Sequence, residues 1–165
     1  MQRIILIIHN VRSSHNVGSM LRTADGFALD KVYLTGYSPY PLAPGDQRLP
    51  HVAQKVHKQI QKTALGAEKS MSWSHHPEIR GLLHKLKREG FKVVALEQTH
   101  QAKPLPSFSA KADVALIVGN EVKGLEPEVL KFSDGQLQIP MLGAKESFNV
   151  AVAAAISLYH LRFIA

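Results

Sequence analysis

The 165-residue chain contains no cysteine, and this absence excludes disulfide bonds and thiolate metal ligands. No uninterrupted apolar run is long enough to span a membrane, and the first residues lack the small-residue cleavage pattern of a secretory signal peptide. The composition, 45% hydrophobic and 20% charged, is ordinary for a globular protein. We therefore expect a single cytoplasmic domain over residues 1–165, with no membrane partner.

Several motifs that would define a site are also missing. No G-x-G-x-x-G opens a helix, which argues against a dinucleotide-binding oxidoreductase. Gly119 and Gly124 have the spacing of a phosphate-binding P-loop, but Leu125 follows where that motif requires lysine. Ser147 lacks the G-x-S-x-G elbow of α/β hydrolases. The nine histidines are scattered without metal-ligand spacing, so the sequence predicts no metal site.

Positive charge is in excess: the formal net charge is +7 and the sequence pI is near 9.7. A basic balance in a small domain favours a polyanionic partner, with RNA or DNA first. A predicted helix after the proline-rich segment 37–50 carries one lysine per turn on one side: Lys55, Lys58 and Lys62. This stripe can bind phosphates in a salt-dependent way, although a merely solvated helix face fits the pattern equally well.

The apolar pattern predicts alternating strands and helices. Strands are expected at residues 3–8, 31–35, 91–96 and 114–118, with a further apolar piece at 137–141 and either a short strand or a packing contact at 71–73. Helices are expected at 17–28, 52–64, 77–89 and from 147 almost to the end. This order predicts an α/β domain with a largely parallel sheet flanked by helices.

Polar side chains collect where these predicted elements begin and end. Between residues 114 and 149, two strand ends, two glycine turns and a helix start lie close together in sequence, which is where ligands bind in open α/β sheets. The polar loop 9–16 follows the first strand, and Glu97 follows the third. The residues alone are also explained if Asn16 is simply a helix N-cap and Arg22 is simply a solvated surface residue.

Three segments, in order and with suitable spacing, resemble the motifs of the SpoU/TrmH-like branch of SPOUT RNA methyltransferases. They are NVGSMLRTADGF from Asn16, ALIVGNEVKGL from Ala115 and IPMLGAKESFNVAVAAAISLY from Ile139. The match extends to about Tyr159 and so covers nearly the whole chain. One departure from the family pattern is Phe148, where a leucine is commoner. The substitution is conservative, because both side chains are apolar.

The resemblance implies a fold that the residues alone do not predict. Family members thread the C-terminal helix through a preceding loop to form a deep trefoil knot, bind S-adenosylmethionine in it, and form homodimers. The residues agree on one of these features. The predicted helix over 151–164 is apolar nearly all round and needs burial on more than one side.

The resemblance also implies roles for particular residues. The cofactor pocket would use strand-end backbone and two closing residues: Leu96, Gly119, Ile139, Met141, Ser147 and Phe148. The catalytic group would be Arg22, acting on a ribose 2′-hydroxyl, with three residues that hold it and the nucleotide: Asn16, Glu121 and Asn149. No added RNA-binding domain is expected, so RNA contacts would come from the catalytic dimer itself: Arg12, Lys55, Lys58 and Lys62.

The expected activity is thus 2′-O-ribose methylation of RNA, with tRNA as the first expectation. Ribosomal RNA is an alternative, as is a non-enzymatic RNA-binding protein with the same fold. A guanidinium is very hard to deprotonate, so a charged Arg22 that stabilises the developing alkoxide is physically easier than Arg22 as a base. Glu121 could orient Arg22 or take the proton, and the sequence leaves both open.

Overall fold

A computed structural model describes residues 2–165, and a seven-stranded sheet forms its centre. The strands are β1 Ile4–His9, β2 Lys31–Thr35, β3 Trp73–His76, β4 Lys92–Leu96, β5 Lys103–Pro104, β6 Val114–Val118 and β7 Gly135–Gln138. They lie in the order β3-β2-β1-β6-β4-β7-β5, and every neighbouring pair is parallel. The predicted parallel α/β fold is confirmed.

Helices cover both faces of the sheet. They are α1 Ser14–Gly26, α2 Pro50–Ala64, α3 Ala67–Ser70, α4 Ile79–Arg88, α5 Pro127–Phe132 and α6 Val150–Phe163, with a 3₁₀ turn at Leu105–Ser107. One core lies beneath α1, α2, α3 and α6, and a second lies beneath α4 and α5. In the part of the chain that the structure describes, no helix is both long and apolar enough to cross a membrane.

The central strand β1 shows why the sheet forms here. All six of its residues are buried, which a run of branched apolar side chains favours. Ile4, Leu6 and Ile8 enter one core, whereas Ile5 and Ile7 enter the other. Because consecutive side chains of a strand point to opposite faces, one apolar run contributes to both layers.

Helix α1 begins earlier than predicted. Ser13 is its N-cap, because the Ser13 hydroxyl accepts a hydrogen bond from the Asn16 backbone N–H at 3.2 Å. The interpretation of Asn16 as the cap is therefore wrong, and its side-chain amide is left for other contacts. Gly18 lets α1 approach α2 closely, since a Cβ there would lie 2.3 Å from the Ile60 carbonyl oxygen.

Other predicted boundaries shift by a few residues. The last strand covers 135–138 rather than 137–141 and ends before Pro140, which cannot donate to a ladder. Helix α6 begins at Val150 rather than 147, because Asn149 caps it. The segment at 71–73, predicted as a short strand or a packing contact, overlaps β3 only at Trp73, where that strand begins. On α2, Val52 is exposed and Ala53 takes the buried position.

Candidate functional site

A cleft of about 540 Å³ opens at the carboxyl ends of β4, β6 and β7. The N-terminus of α6 and the segment before it form its remaining wall. The lining combines apolar side chains with carboxylates and amides: Leu96, Glu97, Gln98, Gly119, Asn120, Glu121, Gly124, Ile139, Glu146, Ser147, Phe148, Asn149 and Ala153. Its size and mixed lining are those of a small-molecule site, at the edge where parallel sheets bind ligands.

Glu121 joins this cleft to the loop after β1. One carboxylate oxygen, Oε2, accepts a hydrogen bond from the Arg12 N–H at 2.9 Å. The other, Oε1, accepts from the Ser13 N–H at 3.0 Å and from Asn16 Nδ2 at 3.1 Å. Partial burial opposes its ionisation, but the hydrogen bonds from Arg12, Ser13 and Asn16 outweigh it and hold the pKa of Glu121 below its usual range. Glu121 is thus an ionised anchor for the start of α1.

Asn16 and Asn149 extend this contact to the last helix. Asn149 Nδ2 donates to Asn16 Oδ1 at 3.2 Å, while Asn149 Oδ1 caps α6 by accepting from the Ala151 N–H at 2.9 Å. One chain of hydrogen bonds therefore runs from Glu121 through Asn16 to Asn149. It links the loops after β1 and β6 to the N-terminus of α6, three segments that are far apart in sequence.

Arg22 is not part of this chain of hydrogen bonds. It lies on the exposed side of α1, and its guanidinium forms no hydrogen bond or ion pair within residues 2–165. Of the four residues predicted as catalytic, the structure thus brings together Asn16, Glu121 and Asn149 and leaves Arg22 apart. The long side chain of Arg22 is free to contact a substrate or a second molecule.

The residues predicted for the cofactor mostly line the cleft. Leu96, Gly119, Ile139, Ser147 and Phe148 all do, but Met141 lies three residues beyond the end of β7 and is not among the lining residues. Phe148 is exposed at the cleft and supplies an apolar surface.

Gly119 lines the cleft and is also closely packed against other residues of the chain. A Cβ there would lie 2.8 Å from two side-chain carbons of Leu125 and 2.9 Å from the Gly124 carbonyl carbon. At Gly143, by contrast, a Cβ would meet nothing within 4 Å. Packing within the chain therefore requires a glycine at 119, whereas no protein atom requires one at 143.

Glu97 makes a second set of hydrogen bonds at the cleft, and Gly124 lies close to its carboxylate. Glu97 accepts hydrogen bonds from the Leu125 N–H at 2.8 Å and from the Gln98 N–H at 3.0 Å. Gly124 has a φ of +67°, and a Cβ there would lie 2.3 Å from Glu97 Oε2. The position of Glu97 after β4 made it a candidate site residue. No sequence spacing predicted that its carboxylate would bind the Leu125 N–H.

A hydrogen-bonded cluster at the carboxyl end of β1 was not predicted. His9, the last residue of β1, contacts Thr35 Oγ1 through Nδ1 at 2.8 Å and Glu126 Oε2 through Nε2 at 3.0 Å. Asn10 donates to Glu126 Oε1 at 2.7 Å. Burial lowers the pKa of His9, although the Glu126 carboxylate opposes this shift. His9 was predicted to lie in the loop; it belongs to the strand because its backbone pairs with Thr35 of β2.

The predicted RNA contacts lie at two places. Arg12 is exposed at the cleft-side loop, and its backbone is fixed by Glu121. Lys55, Lys58 and Lys62 are exposed on α2, which packs directly on α1, and they form no ion pair within residues 2–165. Among those residues, no group of three or more histidine, aspartate or glutamate side chains could hold a metal ion.

Comparison with known proteins identifies relatives of this chain. The model of the SpoU rRNA Methylase family matches residues 3–159. A 23S rRNA (guanosine(2553)-2′-O)-methyltransferase of Bacillus subtilis is 36% identical over 164 residues, covering 97% of this chain and 58% of the relative. A tRNA (guanosine(18)-2′-O)-methyltransferase of Aquifex aeolicus is 29% identical over 159 residues, covering 94% of this chain and 67% of the relative.

A solved structure gives the same fold at low identity. The S-adenosylmethionine-bound rRNA methyltransferase of Sinorhizobium meliloti superposes with a TM-score of 0.80 at 21% identity, covering 95% of this chain and 54% of that one. The chain thus spans just over half the length of this structure and of the Bacillus relative.

Proposed function

Because the chain belongs to the SpoU rRNA methylase family, we propose that it transfers a methyl group from S-adenosylmethionine to a ribose 2′-hydroxyl of RNA. The observation that carries this proposal is the chain of hydrogen bonds from Glu121 through Asn16 to Asn149 at the rim of the cleft. Both relatives described above are named as 2′-O-methyltransferases, which supports the same reaction.

The cleft fits the cofactor chemically. Leu96, Ile139 and Phe148 offer apolar surface for an adenine ring. Residues 141–148 make no backbone–backbone hydrogen bonds within the described chain, and apart from the Glu146 carbonyl, which accepts from Gln98 Nε2, their N–H and C=O groups are open to the polar edge of a ligand. When bound, S-adenosylmethionine supplies an electrophilic methyl group.

The residues of the chain would then position the acceptor and stabilise charge. Displacement at the methyl group requires the 2′-oxygen in line with it, and such positioning lowers the barrier by several kcal/mol. We assign Arg22 the role of stabilising the developing alkoxide, because its guanidinium stays charged and is unpaired within residues 2–165. We assign Glu121 the role of holding the loop in place through its hydrogen bonds. Its lowered pKa makes the carboxylate a poor acceptor for the proton of the 2′-hydroxyl.

We propose tRNA as the first substrate to test, with ribosomal RNA as the alternative, since the two relatives act on one each. Arg12 and the α2 lysines would contact the phosphate backbone. An RNA substrate and the absence of cysteine both suit a cytoplasmic protein.

We further propose a homodimer formed through α6. Val152, Ile156, Tyr159 and Phe163 recur at helical spacing and are exposed, so they form an apolar stripe that a second copy would cover. Phe27 of α1 widens the stripe by packing edge-on against Phe163, with ring centroids 5.8 Å apart. A trefoil knot near α6 is part of the same proposal and rests on the resemblance to SPOUT methyltransferases; Gln98 Nε2 donates to the Glu146 carbonyl at 2.6 Å and so joins the segments after β4 and before α6.

The experiment that tests this function compares Arg22→Ala with a control variant, Arg80→Ala. Arg80 is an exposed residue of α4. Each variant is assayed for S-adenosylmethionine binding by calorimetry and for methyl transfer to total tRNA and to ribosomal RNA. We expect Arg22→Ala to bind the cofactor normally and to lose transfer, and Arg80→Ala to retain both. Normal transfer by Arg22→Ala would remove the catalytic assignment. No cofactor binding by the wild type at millimolar concentration would favour a non-enzymatic RNA-binding protein.

A further inference from the structure

Tyr37 is an exposed aromatic residue held between the loops after β1 and β6. It follows β2 by two residues, and 59% of it is accessible to solvent. Its backbone N–H donates to Asn10 Oδ1 at 3.1 Å, and its hydroxyl accepts from Asn120 Nδ2 at 3.0 Å. The residue is therefore fixed at both ends while much of its ring surface stays open.

The groups that hold Tyr37 are themselves fixed. Asn10 donates to Glu126 Oε1, and Asn120 Oδ1 accepts from the Val122 and Lys123 N–H groups, both at 2.8 Å. Gly36 has a φ of +64°, and a Cβ there would lie 1.9 Å from Asn10 Oδ1, so the turn before Tyr37 fits only a glycine. Because the ring is ordered before any partner arrives, little conformational freedom is lost on binding.

The ring also lies next to the residues that organise the site. Asn120 lines the cleft and directly precedes Glu121. Asn10 lies two residues before Arg12, whose backbone N–H binds Glu121. A nucleotide placed with its ribose at the chain Glu121–Asn16–Asn149 would thus have an exposed aromatic surface on the side of β2.

We propose that Tyr37 is a stacking platform for an unpaired base of the RNA substrate. This inference rests on the proposed function, because it needs RNA as the substrate. Every nucleobase presents a π-face, and proteins that bind single-stranded segments commonly stack such bases on aromatic side chains. Loss of one base–aromatic stack typically weakens binding by about 5- to 100-fold.

A purely structural role for Tyr37 would depend on its hydroxyl, which ties the loops after β2 and β6. Two variants separate these roles. Tyr37→Phe keeps the ring and removes the hydrogen bond to Asn120, whereas Tyr37→Leu keeps apolar bulk and removes the π-face. Leu65→Ala, at an equally exposed apolar residue after α2, is the control.

The experiment measures KM for RNA, kcat and S-adenosylmethionine affinity for the full chain and each variant. We expect Tyr37→Leu to raise KM for RNA about 5- to 100-fold with unchanged cofactor affinity, and Tyr37→Phe and Leu65→Ala to stay within about twofold of the wild type. The inference is overturned if Tyr37→Leu has the KM of the wild type, or if Tyr37→Phe loses as much as Tyr37→Leu. Absence of methyl transfer by the wild type would instead refute the proposed function.

Discussion

Replacing Glu121 by glutamine tests whether this residue anchors the loop or takes the proton. A glutamine keeps one oxygen, which can still accept from Ser13 and Asn16, but it turns an amide N–H₂ towards the Arg12 N–H that now donates to the carboxylate. One hydrogen bond is lost, and two become bonds to a neutral group. Hydrogen bonds to charged groups contribute about 1.5–3 kcal/mol when buried, and less at a solvated residue such as this one.

We therefore expect Glu121→Gln to lower the free energy of unfolding by roughly 2 kcal/mol at neutral pH. For a chain of this size that corresponds to a fall in Tm of about 4–8 °C. The assays are urea denaturation and methyl transfer, with Glu128→Gln as the control, because Glu128 is exposed on α5 and its side chain makes no hydrogen bond or ion pair within residues 2–165. Methyl transfer should fall at least about tenfold, since the loop that leads into Asn16 loses its hydrogen bond at Arg12.

The stabilisation that Glu121 provides depends on pH. The pKa of Glu121 is lower in the folded state than the ordinary 4.5, so the unfolded state binds its proton first as pH falls. The stabilisation by Glu121 is thus present above pH 4.5 and is lost as pH falls through the folded-state pKa. The stability gap between wild type and Glu121→Gln should close in the same window. A variant with wild-type stability but no transfer would refute the anchoring role and favour Glu121 as proton acceptor.

Three further predictions concern the dimer, the glycine turn and the RNA surface. Ile156→Asp places a charge in the apolar stripe of α6 and should give a monomer by sedimentation, whereas Leu65→Asp should leave the dimer intact. Gly124→Ala forces a Cβ towards Glu97 at positive φ and should lower stability by about 1–3 kcal/mol and weaken cofactor binding, whereas Gly143→Ala should have no effect on stability. Replacing the α2 lysines by alanine should reduce the slope of log affinity against log salt for single-stranded RNA by up to about 2, compared with replacement of three basic residues on α4. The first set is Lys55, Lys58 and Lys62, and the control set is Arg80, Lys85 and Arg88.

The sequence predicted the elements whose signal is local. Strands β1 and β6 are continuous branched runs, which leave little choice of structure, and β6 has the predicted bounds. The start of α1 was misassigned because Ser13 and Asn16 are both good capping residues, and only the folded loop decides between them. Helix α5 was missed because its six residues show no clear period.

Local sequence patterns do not predict the contacts of the site, because these contacts join distant parts of the chain. Asn16 and Glu121 are 105 residues apart, and Asn16 and Asn149 are 133 apart, so no spacing predicts these pairs. The resemblance to a family assigned these residues to one site, and in the structure their side chains are hydrogen-bonded to one another. The tie between Tyr37 and Asn120 belongs to no motif, and it became visible only in the fold.

The arrangement of the cleft also bears on how the proton leaves the 2′-hydroxyl. No histidine, the residue type whose pKa ordinarily lies near neutrality, lines the cleft in residues 2–165. Both oxygens of Glu121 already accept hydrogen bonds, and Asn16 and Asn149 cannot take a proton. Both oxygens of Glu97 also accept hydrogen bonds, so Glu146 is the one lining carboxylate without a hydrogen bond or ion pair within residues 2–165. Arg22 and the chain Glu121–Asn16–Asn149 support stabilisation of the alkoxide by Arg22, with loss of the proton to solvent. The rate of transfer at saturating RNA should then rise steadily from about pH 6 to 9, and a plateau near neutrality would instead reveal a base among the residues of the chain.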